Sequence, residues 1–168
     1  AREAQPFKAI IDPDHKSFLP PGDMPARIRE FCSKTGQPVP ETKGEIVRCA
    51  LESLALKYRW VAERLEELLN RCINVIHVVG GGSRNELLCQ LTADATGKTV
   101  IAGPAEATAA GNVMVQAMAL GQVSCHPEAR KVIKGSFEFK IYEPRRDERW
   151  EEAYQRYLRI AEMSESFA

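Results

Sequence analysis

Apolar residues recur at intervals of three and four over 45–69, at Ile46, Ala50, Leu54, Tyr58, Val61, Leu65 and Leu68. That spacing predicts one stripe of a long amphipathic helix. Glu63, Arg64, Glu66 and Glu67 fall off the stripe, Thr42 and Glu45 form a capping-box pattern, and Asn70 suits a stop. The pattern then changes: Val75-Ile76-His77-Val78-Val79 is a short β-branched run that reads as a buried strand. Gly80-Gly81-Gly82 ends it. Helix is expected at once, with Ser83 and Glu86 as a second capping box, Leu87, Leu88, Leu91 and Ala95 as the buried face, and Gly97 as the close.

A second strand is expected over 98–102 and a turn at Gly103-Pro104. A helix of small residues follows over 106–120, where Ala107, Ala110, Gly111, Met114 and Met118 share a face able to lie close on a sheet. A short helix over 127–133, an alternating run over 137–142 and a last helix over 147–163 complete the chain. Trp150, Tyr154, Tyr157, Leu158 and Ala161 share one face of that helix, and acids crowd its start. The first forty residues hold seven prolines and read as loop, interrupted by a helix over 23–35 with Asp23 as cap, Pro25 in the first turn and Gly36 at the end. The order helix, strand, helix, strand, helix predicts an α/β fold of few strands with flanking helices, the strands parallel and joined by right-handed crossovers. The expected division is a loop-rich lead-in over 1–43, a core over 44–122 and C-terminal helices over 123–168. So much loop at the start suggests that chain precedes Ala1.

Charge changes little in this picture. Among 168 residues, 23 Lys+Arg balance 23 Asp+Glu. That removes the simplest electrostatic reason to expect nucleic acid or a membrane surface. The uncharged stretch 107–127 carries Thr108, Asn112, Gln116, Gln122, Ser124 and His126, so it reads as a core helix and a loop and not as a membrane span. Cys32, Cys49, Cys72, Cys89 and Cys125 show no C-x-x-C spacing, which argues against zinc and, in an odd count, against a disulfide framework. Buried reduced thiols in a cytoplasmic protein are the reading, with a single Cys32–Cys49 bridge left open.

The candidate chemistry sits in Val78-Val79-Gly80-Gly81-Gly82-Ser83. Three glycines between a strand and a capped helix let a ligand approach the backbone, and the helix beyond offers the positive end of its dipole. Phosphate or the ribose side of a nucleotide is the natural guest; the plain alternative is a turn that merely lets strand and helix pack. A dinucleotide fingerprint starting at Gly80 fails, because its third glycine is Asn85 and no acid ends the next strand. Gly97-Lys98-Thr99 imitates the end of a P-loop, but Thr92 stands where the first glycine belongs and Lys98 enters a strand.

Val78-Val79-Gly80-Gly81-Gly82-Ser83-Arg84-Asn85 resembles the adenosine motif of the actin-like ATPases, whose domain is ribonuclease H-like. With the flanking segments Gly36 to Thr42, Ala50 to Tyr58, Leu91 to Ala95 and Val100 to Thr108, the chain is similar to the C-terminal domain of the FGGY carbohydrate kinases, most of all their rhamnulokinase branch. The resemblance implies a portion of the ATP-binding domain. ATP and Mg2+ are the implied cofactors, with the metal ligands outside these residues. The implied reaction moves the ATP γ-phosphoryl to the 1-hydroxyl of L-rhamnulose, held mainly by an N-terminal domain not present here. It places Gly80, Gly81 and Gly82 along the adenosine, has Ser83 cap the helix and lets Asn85 reach adenine or ribose. No catalytic residue is assigned, since the family's Asp base and acidic phosphate loop have no counterpart, and Asp12 and Asp14 read as turn residues. Another FGGY sugar or polyol kinase of xylulokinase or fuculokinase type, a non-catalytic nucleotide-binding module and a dinucleotide-binding oxidoreductase stay as alternatives. Open sheet edges in such a piece suggest a homo-oligomer. His77 reads as a buried strand residue, Lys98 as a solvated strand-end lysine, Glu106 as a helix-start acid and Arg145, Arg146 and Arg149 as a neutralised basic cluster.

Overall fold

A computed structural model describes residues 1–164. Asp23 caps helix α1 (Met24–Lys34) by accepting from the Ala26 amide, with Pro25 in the first turn. Helix α2 (Lys43–Leu69) opens with the Thr42–Glu45 capping box and closes on left-handed Asn70. Strand β1 (Val75–Val78), helix α3 (Glu86–Thr96) and strand β2 (Thr99–Ala102) form a parallel crossover unit in which His77 faces Ile101 in the register. Helices α4 (Ala107–Ala119) and α5 (His126–Ser136) then lead to strand β3 (Lys140–Tyr142), and helix α6 (Arg149–Ser164) follows. The sheet order is β1-β2-β3. β3 runs antiparallel to β2, unlike the all-parallel expectation. The two-helix excursion returns the chain to the end of the sheet it left, as the pairing of Lys140 with Ala102 shows, so the strand must run back.

The core sits on the helical side. Ile28, Phe31 and Cys32 of α1, Cys49, Ala55 and Leu56 of α2 and Trp150, Tyr154, Tyr157 and Ile160 of α6 close around Ala9-Ile10-Ile11. Loop was expected at 9–11, yet Ile10 is fully buried. Its backbone needs partners that no strand provides. The Gln37 amide supplies them: the Ile10 N–H donates to Gln37 Oε1 at 2.9 Å and Gln37 Nε2 donates to the Ile10 carbonyl at 2.7 Å. The Ile11 N–H donates to Ser53 Oγ at 2.9 Å. Phe7, held at φ 56°, is pinned on both sides. Its N–H donates to Glu52 Oε2 at 2.8 Å, its carbonyl accepts from Arg156 at 2.6 Å, and its ring meets Trp150 edge-on. Glu52 is fully buried and also pairs with Arg48 at 2.7 Å; burial raises its pKa, against the pull of these two donors.

Several expectations are corrected here. α2 buries Cys49, Glu52, Ser53 and Leu56, while Tyr58, Val61, Leu65 and Leu68 of the expected stripe are exposed. The extended N-terminal segment takes the polar-looking face because Glu52 and Ser53 satisfy its amides. β1 is only half-buried and His77 is exposed, since the sheet has no strand beyond β1 among the described residues. No residue of α4 is buried, and its main neighbour is α5. Cys32, Cys49 and Cys89 are buried, but Cys72 and Cys125 are exposed, and all five thiols are free. Cys32 and Cys49 lie side by side: a hydrogen bond between the two thiols and burial push Cys49 up, and the same bond pulls Cys32 down.

Candidate functional site

The glycine run does not pass straight into a helix. After extended Val79, residues Gly80–Arg84 wind as a 3-10 turn, and α3 starts beyond it. The extra turn moves the cap. Asn85 Oδ1, not Ser83, accepts from the Leu88 amide at 3.1 Å, so the Ser83–Glu86 capping box is replaced by an Asn85 cap. Ser83 is buried and its hydroxyl donates to the Gly80 carbonyl at 2.7 Å, which braces the turn from inside. Asn85 can reach a ligand only with its amide nitrogen while its oxygen holds the cap.

A second glycine corner locks the first. The Gly103 N–H donates to the Val78 carbonyl at 2.8 Å, and the Gly80 N–H donates to the Pro104 carbonyl at 3.0 Å. Gly103 sits at φ 120°, where a Cβ would stand 2.9 Å from the Glu138 carbonyl oxygen. The two strand ends are thus fastened at one edge of the sheet. The sequence alone reads Gly103-Pro104 as a simple turn; the glycine at the same end of the neighbouring strand is the signal for the lock.

The three glycines have different causes. Gly80 adopts φ 74°, which residues with a Cβ avoid. Gly81 has no left-handed backbone, and a Cβ built there meets nothing within 4 Å. Gly82 is similar, with only Val78 Cγ1 at 3.8 Å. Both are exposed. Nothing inside the chain therefore requires glycine at 81, and the bare backbone there faces outward as a ledge. Beside it lies a hollow of about 380 Å³ bounded by Tyr58, Ile76, His77, Val79, Gly82, Leu88 and Thr92.

Electrostatics favour an uncharged guest. Glu86 stands in the first turn of α3 and offsets the dipole. Its carboxyl is held below the usual range by a hydrogen bond from Lys140 at 2.5 Å. Arg84 pairs with Glu106 at 2.9 Å, both side chains exposed. Glu106 makes no side-chain cap bond to α4, so this ion pair accounts for it better than capping does. The loop offers binding surface and no group placed for proton transfer. Lys98 pairs with Glu66 at 2.7 Å, Asp94 accepts from Gln90 and the Arg145 amide, and Asp12 and Asp14 flank Lys57. Among the described residues, no three His, Cys, Asp or Glu side chains are grouped to hold a metal ion. None of their helices is long and apolar enough to cross a membrane.

Residues 1–120 match the C-terminal domain of the FGGY family of carbohydrate kinases. The chain belongs to that family. Similar proteins include a rhamnulokinase of Bacteroides thetaiotaomicron, 51% identical over 154 residues, which covers 92% of this chain and 32% of that protein. A rhamnulokinase of Oceanobacillus iheyensis is 44% identical over 140 residues, covering 83% of this chain and 30% of its own. One of Bacillus subtilis is 41% identical over 145 residues, covering 86% and 30%. The chain thus spans about a third of the length of these relatives. The crystal structure of xylulose kinase from Rhodospirillum rubrum shares the fold with a TM-score of 0.61 at 20% identity, covering 79% of this chain and 27% of that one. In this FGGY domain, β3 and α6 lie beyond the family match, yet α6 supplies Trp150, Tyr154, Tyr157 and Ile160 to the core.

Proposed function

We propose that the chain is the nucleotide-binding portion of an ATP-dependent sugar kinase acting on L-rhamnulose. The observation that carries the reading is the open ledge at Gly81, a glycine without an internal cause, in a chain whose relatives are rhamnulokinases. Adenosine would lie on Gly81 and Gly82, with Gly80 and the Gly103-Pro104 corner fixing the ledge and Asn85 at its rim. Among the described residues, no Lys or Arg lines the hollow beside the ledge, so the triphosphate would point away toward residues outside this chain. ATP supplies the transferred γ-phosphoryl; phosphoryl transfer otherwise rests on positioning and charge. The base and the magnesium ligands would come from outside these residues too, and the protein would work in the cytoplasm.

The test is a coupled kinase assay on full-length protein with ATP and L-rhamnulose, D-xylulose and L-fuculose in parallel. Preference for L-rhamnulose, and its loss in Gly81→Val, are the expected results. Preference for another ketose would replace the substrate. ATP binding without turnover of any sugar would favour a non-catalytic module.

A further inference from the structure

We infer that the groove between α3 and the loop leading into α6 is a second ligand site, shaped for the phosphate group of a small phosphorylated metabolite. The groove encloses about 760 Å³, within the range of small-molecule sites. It lies on the opposite face of α3 from the glycine ledge: Leu87, Gln90, Leu91 and Asp94 face the groove, whereas Leu88 and Thr92 face the hollow beside Gly82.

Its charge is uneven. Five arginines, at 2, 48, 145, 146 and 149, line it against three acids, Glu86, Asp94 and Asp147. Part of this charge is matched: Lys140 holds Glu86 at 2.5 Å, Arg149 holds Asp147 at 2.7 Å and Arg48 is paired with Glu52 at 2.7 Å, which leaves Arg2, Arg145 and Arg146 against Asp94. Asp94 spends itself on Gln90 and the Arg145 amide, with the Arg145 guanidinium 3.7 Å away. Arg146 has no ion-pair partner among the described residues, and Arg2 reaches Glu86 only at 3.8 Å. The floor is preorganised. The Arg48 side chain is 13% exposed and fully buried Glu52 fixes its Nε, while its Nη2 makes no hydrogen bond among the described residues. Its Nη1 donates to the Ala1 and Arg2 carbonyls at 3.4 and 3.3 Å, so the guanidinium offers phosphate its Nη2 alone, as a fixed charged donor. Phe7, Leu87, Leu91 and Trp150 add an apolar wall for the organic body. Arg145, Arg146, Asp94 and Asp147 also line the adjoining groove around Arg59 and Lys98, where Glu63, Glu66 and Glu151 bring the acids to five against four cations, so the surplus lies on the α3 side.

The experiment is calorimetric titration of the full-length protein with pyrophosphate and with ribose 5-phosphate, in saturating ADP, with ribose as control. Hydrogen exchange over 143–150 locates the site. Ribose 5-phosphate and pyrophosphate are expected to bind, ribose is not, and exchange over 143–150 slows. Each lost guanidinium contact costs about tenfold in affinity, so Arg145→Glu with Arg146→Glu, both at exposed positions, weakens binding by a hundredfold or more. Arg48→Lys keeps the charge beside Glu52 and weakens it by about tenfold. Failure of both phosphates to bind, unchanged affinity in the double variant, or complete competition by ADP would each overturn the inference.

Discussion

Gly80 and Gly81 are neighbours with opposite roles, and substituting them separates fold from binding. At Gly80 the backbone is left-handed, so Gly80→Ala costs about 1–2 kcal/mol of folding free energy. At Gly81 no atom lies within 4 Å of a new Cβ, so Gly81→Ala leaves stability within about 0.5 kcal/mol. Gly81→Val instead plants two methyl groups on the ledge where adenosine would rest. Forcing a ligand against an extra branched side chain costs about 1–3 kcal/mol, a loss of about 5- to 150-fold in affinity. Thermal unfolding and ADP titration of the full-length protein read both quantities. The expected result is a lower melting temperature for Gly80→Ala, an unchanged one for Gly81→Ala, and weakened ADP binding by a folded Gly81→Val protein. Wild-type ADP affinity in folded Gly81→Val would refute the reasoning, as would a Gly81→Ala protein destabilised as much as Gly80→Ala.

Other outcomes follow from the core and the caps. Gln37→Ala strands the N–H and carbonyl of buried Ile10 and should lower stability by about 2–4 kcal/mol in urea unfolding. Glu52→Ala leaves Arg48 and the Phe7 amide without their acceptor and should cost about 3–5 kcal/mol, with Glu52→Gln milder because it still accepts. Asn85→Ala should cost about 1 kcal/mol as a lost cap, while Ser83→Ala should leave the start of α3 unchanged by circular dichroism. A hydrogen bond from Lys8 at 2.6 Å and the Thr42 and Glu41 amides hold the Glu45 carboxyl down at about 2. Because its folded pKa is depressed, its contribution is present above the ordinary carboxylate pKa near 4.5 and is lost as pH falls toward 2. Glu45→Gln should flatten the acid limb of the stability profile in that window.

The elements legible in the sequence are those with local causes. Asp23 with Pro25, Thr42 with Glu45, and left-handed Asn70 set helix ends through neighbours in the chain, and the structure keeps all three. What was illegible depends on distant partners. On α2 hydrophobicity points to Tyr58, Val61 and Leu65, whereas the buried face is chosen by the amides of 7–11 that Glu52 and Ser53 satisfy. Ile10 sits in the core without any periodic signal, since its backbone is paired by one glutamine side chain. At the site, the glycines and Asn85 were visible as a motif, but the 3-10 turn that hands the cap from Ser83 to Asn85 was not. The lock between Gly80 and Pro104 joins two loops that are far apart in sequence.

The central claim is that the nucleotide's adenosine rests on the Gly81 ledge. A crystal structure of the full-length protein with a non-hydrolysable ATP analogue tests it most directly. The account predicts the adenine and ribose against the backbone of Gly81 and Gly82, near the start of α3. Density for the base elsewhere, with that ledge left in solvent, would contradict it.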